Sequence, residues 1–223
     1  MSTQFHLLTS QKNKAYNPLV NGSWIGGSLQ SANTCTIHYG SIGFFTGGYL
    51  LTAAHVVPEN LASLHQPPFG KNYCASPVAN GPFPIRRHDK DIDVALCKLN
   101  PDVQINKDST FNKLLNVAGS KDPKIAMKVF KYGCATGYTE GTIVSVKFGE
   151  DSYHHLKITP ESFANEGDSG ASVYTVVDDE VYRVGILRWR LTTNDNVSVR
   201  KYAVATPITV VNKFVEEILP TMQ

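Results

Sequence analysis

The chain has 223 residues, 42% of them hydrophobic, 10% aromatic and 18% charged, a composition that supports a folded core and excludes intrinsic disorder. With 21 Lys and Arg against 19 Asp and Glu, the formal charge is +2, so the bulk composition carries neither a nucleic-acid footprint nor an acidic tail. No apolar run approaches the ~18 residues of a membrane span, and Met1 to Lys14 lack the basic and apolar regions of a signal peptide, so a cytoplasmic chain with no membrane and no nucleic-acid partner is expected, its oligomeric state unknown.

Residues 1–34 read as an N-terminal extension. From Cys35 onward, short runs of β-branched and aromatic residues alternate with turn signals: Ile42 to Thr46, Gly47-Gly48, Tyr49 to Thr52, then Ile92 to Leu99. After the polar stretch Asn116 to Lys124, further runs cover Ala126 to Lys131, Gly141 to Phe148, His154 to Thr159, Ala171 to Val177, Val181 to Arg190 and Arg200 to Thr206. This is the rhythm of an antiparallel all-β fold in two units, 35–115 and 124–206, joined by a linker at 116–123. Beyond Pro207, the residues Val210, Val211, Phe214, Val215, Ile218 and Leu219 repeat with helical period, which predicts a closing C-terminal α-helix over 207–223. The cysteines Cys35, Cys74, Cys97 and Cys134 show no paired spacing, so reduced thiols and no metal site are expected.

Three separated segments carry chemistry: Leu51-Thr-Ala-Ala-His55, Asp91-Ile-Asp93-Val-Ala-Leu, and Glu166-Gly-Asp168-Ser169-Gly170. A serine hydroxyl needs an imidazole to take its proton, and the imidazole needs a carboxylate on its other nitrogen to fix the tautomer. Ser169 and His55 suit the first two roles. Asp91 and Asp93 compete for the third, since residues two apart on a strand share a face.

In this chain order the segments resemble the T-A-A-H, D-[IV]-A-L and G-D-S-G motifs of the chymotrypsin-like serine peptidases, from about Cys35 to the C-terminal helix. The resemblance implies two six-stranded antiparallel β-barrels and a serine endopeptidase. It implies the triad His55, Asp93 and Ser169, an oxyanion hole at the amides of Gly167 and Ser169, a protein or peptide substrate and no cofactor. It selects Asp93, which Val-Ala-Leu follows directly. It also places Phe163 at the base of the primary pocket, Glu166 beside the nucleophile, and Leu187-Arg188-Trp189-Arg190 on the substrate-binding strand. Without an aspartate at the pocket base, cleavage after acidic or small residues is expected over cleavage after Lys or Arg.

A catalytically silent binding module and a viral polyprotein-processing protease are the alternative readings of the same fold. The segment Lys131 to Gly141 resembles one that opens the second barrel in bacterial and intracellular relatives, and its glycines read as hairpin geometry. Asp168 needs a hydrogen-bonding or cationic partner from elsewhere, because a buried unpaired carboxylate is costly. His154-His155 and Arg86-Arg87-His88 with Lys90 read as solvated loop or strand-end residues.

Overall fold

The computed structural model describes residues 18–30, 35–66, 76–80, 85–89, 91–110, 115–146, 155–194 and 199–222. The N-terminal half holds β1 (Leu19–Asn21), β2 (Trp24–Gln30), β3 (Cys35–Ser41), β4 (Phe44–Thr46), β5 (Tyr49–Thr52), β6 (Ser63–Gln66), β7 (Ser76–Asn80), β8 (Arg86–His88), β9 (Asp93–Lys98) and β10 (Ile105–Thr110). They pair as two four-stranded sheets, β3-β2-β6-β7 and β4-β5-β9-β8, with β1 parallel to β10.

The apolar runs of this half form strands buried on both faces. Along β9, Ala95 and Cys97 enter one core with Ile25, Leu50 and Val56, while Val94 and Leu96 enter a second with Phe44, Leu51 and Ile186. The alternation of a strand therefore serves two cores, and each fully buried aliphatic side chain contributes about 1.5–3 kcal/mol relative to exposure.

The C-terminal half holds β11 (Val117–Ser120), β12 (Lys128–Gly133), β13 (Gly137–Ser145), β14 (Leu156–Thr159), β15 (Ser172–Val177), β16 (Glu180–Asn194), β17 (Val199–Pro207) and α1 (Ile208–Ile218). Six of these strands close on themselves in the order β16-β15-β12-β13-β14-β17, the last pairing back to β16 from Gly185↔Pro207 to Asn194↔Val199. Val129, Ile143, Leu156, Ile158, Phe163, Val173 and Val184 fill this barrel. Helix α1 lays Ile208, Val211 and Phe214 onto the core that β4, β5 and β9 share with Ile186, as the helical period of its apolar residues predicts. No described helix is long and apolar enough to cross a membrane.

Two boundaries expected from sequence move. Residues 24–30 are not an extension, because β2 pairs with β3 along Trp24↔Ser41 to Gln30↔Cys35 and touches β6 at Gly26↔His65. The expected linker contains β11, which runs parallel to β16. Both strands are short on β-branched residues, which hid them.

Candidate active site

His55 follows β5 on a single 3-10 turn, Ala54–Val56, entered through an extended Ala53. Ala53, Ala54 and Val56 are wholly buried and hold the turn against the core. The register Thr52↔Ala95 brings the start of β9, and so Asp93, beside this turn. The Asp93 carboxylate has no exposed surface and grips His55 twice, accepting the backbone N–H at 3.0 Å through Oδ1 and lying 2.6 Å from Nδ1 through Oδ2. Burial pushes the Asp93 carboxyl up, but the hydrogen bond and charge of His55, then His88 and Arg188, outweigh burial and hold it below the usual carboxylate range. A proton on Nδ1 facing Asp93 leaves Nε2 as the free base. Asp91 is elsewhere, its N–H donating to Asp89 Oδ1 on the loop before β9.

Ser169 lies on the loop between β14 and β15, where two glycines adopt left-handed backbone. Gly170, at φ +92°, is pressed onto the Thr52-Ala53 segment, and a Cβ there would stand 2.2 Å from Thr52 Oγ1 and 2.4 Å from the Ser41 carbonyl. Gly167, at φ +98°, leaves room for the Trp24 ring, which a Cβ would meet at 3.2 Å. The Ser169 carbonyl accepts the Ser41 N–H at 2.7 Å, and a Cβ on Gly40 would meet both that carbonyl and the Val56 side chain. The serine loop and the histidine turn thus pack on one stretch of β3. The Ser169 hydroxyl donates to the Arg188 carbonyl at 3.0 Å.

Asp168 has the partner that its burial demands. Lys131 Nζ lies 3.2 Å from Asp168 Oδ2, with no exposed side-chain surface on either residue. The carboxylate also accepts the N–H groups of Ala135, Thr136 and Asn165 and the Thr136 hydroxyl, at 2.7–3.1 Å. Burial pulls the Lys131 ammonium below its ordinary value, and Asp168 opposes that pull. Lys131 and Thr136 stand in the segment read only as hairpin geometry, so the motif carried their signal and the turn reading missed it. Trp24, stacked on Tyr39 at 5.3 Å beneath Gly167, was missed because it lies in the supposed extension.

The substrate-binding candidates separate. Phe163 is wholly buried in the barrel core, its ring 5.8 Å from the Lys131 ammonium, and Leu187 is also core. Glu166 is exposed and accepts the Tyr39 hydroxyl at 2.6 Å. At 2% exposure Arg188 turns inward toward Asp93, at a β-bulge where Leu187↔Ala205 and Trp189↔Val204 leave it as the extra residue. Trp189 and Arg190 pair through β16, and their side chains lie outside the described residues. His155, expected on the surface, is buried against Arg188, whereas His88 is exposed and Arg86 half-buried; His154 and Lys90 lie outside the described residues. Cys97 and Cys134 are buried free thiols, both with burial pushing the thiol up. Among the described residues no cluster of His, Cys, Asp and Glu could hold a metal ion.

The family model for peptidase family S64 matches residues 85–219. Among solved structures, the chymotrypsin of Cellulomonas bogoriensis superposes with a TM-score of 0.57 at 18% identity, over 89% of this chain and 95% of its own. Protease A of Thermobifida fusca gives 0.54 at 20% identity, over 88% and 95%. A serine protease described as glutamic acid specific, with a histidine triad in substrate binding, gives 0.57 at 16% identity, over 86% and 95%. At these identities the likeness is one of fold. No curated protein matches the chain.

Proposed function

The chain belongs to peptidase family S64 and is a serine peptidase of chymotrypsin-like fold, and we propose that it acts as an endopeptidase through Ser169, His55 and Asp93. The observation that carries this reading is the double grip of the buried Asp93 on His55, which reserves Nε2 for the role of base, on a turn that packs with the serine loop against β3.

Ser169 Oγ attacks the scissile carbonyl carbon while its proton passes to His55 Nε2. The amides of Gly167 and Ser169 receive the developing oxyanion, the protonated imidazole delivers its proton to the leaving amine, and water then releases the acyl group from Ser169. The Ser169 hydroxyl exchanges its bond to the Arg188 carbonyl for one to His55 before attack. Substrates are proteins or peptides. In the N-terminal half, β3 continues through Gly43 into β4, and a bridge at Ala79↔Leu99 ties β7 to the end of β9, which supports reading the two four-stranded sheets as a companion six-stranded barrel.

A fluorophosphonate, whose phosphorus bonds to a serine oxygen activated by a neighbouring base as fluoride leaves, tests the proposal directly. Labelling should map to Ser169 and vanish in both Ser169→Ala and His55→Ala. A folded protein that takes no label would instead be a silent binding module.

A further inference from the structure

Arg188 joins the nucleophile to the acid through one residue: its carbonyl accepts the Ser169 hydroxyl, and its guanidinium Nε lies 3.7 Å from Asp93 Oδ2, the oxygen that faces His55 Nδ1. The side chain is 3% exposed, and the other guanidinium nitrogens meet His155 Nε2 at 3.1 Å and the Asp89 carbonyl. A guanidinium is always a donor, so His155 accepts through Nε2 and carries its proton on Nδ1. These anchors fix the cation beside Asp93 Oδ2, the oxygen that also faces the histidine.

We propose that Arg188 is a positioning residue that holds Asp93 in place and, by sharing its negative charge, weakens the hold of His55 on a proton. The inference rests on the triad reading above. A carboxylate that faces one cation gives its full charge to the imidazolium formed during attack; one that faces two gives less to each. The arrangement goes with a bulge at which the arginine is buried.

Other charged or titratable groups lie around the same point. From β8, His88 Nε2 is 4.0 Å from Asp93 Oδ1, and Arg86 donates to the Ala54 carbonyl of the histidine turn at 3.4 Å. From the following loop, Asp89 and Asp91 favour the charged form of Arg188, against a burial that lowers it. From the start of β14 comes His155. None of these replaces a guanidinium against Asp93 Oδ2.

The test is the rate of fluorophosphonate labelling of Ser169 against pH, which needs no known substrate. In Arg188→Met and Arg188→Gln, the acid limb should move to higher pH by about one unit, a tenfold loss of rate on that limb. Arg188→Lys, which keeps the charge, should hold the limb near the wild-type pH, and so should His155→Gln, which keeps an acceptor. An unmoved limb in either folded neutral variant would overturn the proposal, as would an equal shift in His155→Gln. Unfolding of both neutral variants would also overturn it, in favour of a purely structural arginine. Absence of labelling in the wild-type protein would sink the triad reading itself, a different result from any of these.

Discussion

Lys131 and Asp168 meet at 3.2 Å with neither side chain reaching solvent, one from the strand that opens the C-terminal barrel and the other from the residue before the proposed nucleophile Ser169. The pair supplies from within the fold the partner that the Asp168 carboxylate requires. It also fixes the Gly167–Ser169 turn to the Ala135 and Thr136 amides, so the shape of the proposed oxyanion site depends on it.

Lys131→Met should therefore be strongly destabilising, by about 3–5 kcal/mol, because it leaves a buried carboxylate with neutral donors only. Urea unfolding measures the loss, and fluorophosphonate labelling should fall with it. The double variant Lys131→Met/Asp168→Asn should recover part of the stability while remaining poorly labelled. A single variant as stable as the wild type would show that the ion pair is not the anchor.

Ser169→Ala and His55→Ala should each lower peptide turnover by about 10⁴ to 10⁶, and the double variant should be scarcely worse, since the groups act as one unit. Steady-state hydrolysis of a peptide library checks this. A tenth of wild-type cleavage surviving in either single variant is incompatible with the mechanism.

Asp93 makes stability depend on pH with a definite sign. Its folded carboxyl lies below the unfolded value of about 3.9, so its contribution is fully present above that value and is lost as pH falls through the folded value. Asp93→Asn has no such proton to lose. The stability gap between wild type and Asp93→Asn, measured by urea unfolding, should narrow from about pH 5.5 to about pH 3. A gap that widens over this range would refute the assignment.

Gly170→Ala should cost about 1–3 kcal/mol in backbone strain alone, and more because its Cβ collides with Thr52 Oγ1 and the Ser41 carbonyl. Labelling of Ser169 should drop at least tenfold, since relief of the collision parts the serine loop from the Thr52-Ala53 segment. Gly48 also has a left-handed backbone, at φ +80°, but a Cβ there meets nothing within 4 Å. Gly48→Ala should cost about 1–2 kcal/mol and leave the labelling rate unchanged. Equal labelling rates in the two variants would show that the close approach at Gly170 does not matter.

Much of the proposed site is legible in the amino-acid sequence, since the chemistry proposed for it draws on short contiguous words. His55 with its small neighbours, Asp93 with the apolar strand behind it, and Ser169 between two glycines each lie in a single run of residues. The apolar runs of β5 and β9 and the helical period of α1 are legible for the same local reason: side-chain alternation and helix periodicity are properties of adjacent residues.

Partnership across the chain is not legible in this way. That Lys131 meets Asp168, that Trp24 supports Gly167, and that β2 belongs between β3 and β6 depend on strand register between segments far apart, which no local pattern encodes. Arg188 shows the limit most sharply. Its strand carries one extra residue opposite β17 at this point, and the side chain read as substrate-facing lies buried against Asp93. Residue type and spacing decided which groups are available for chemistry, because they act over a few bonds. Register and bulges decided what each group faces, because they are settled only when distant strands pair.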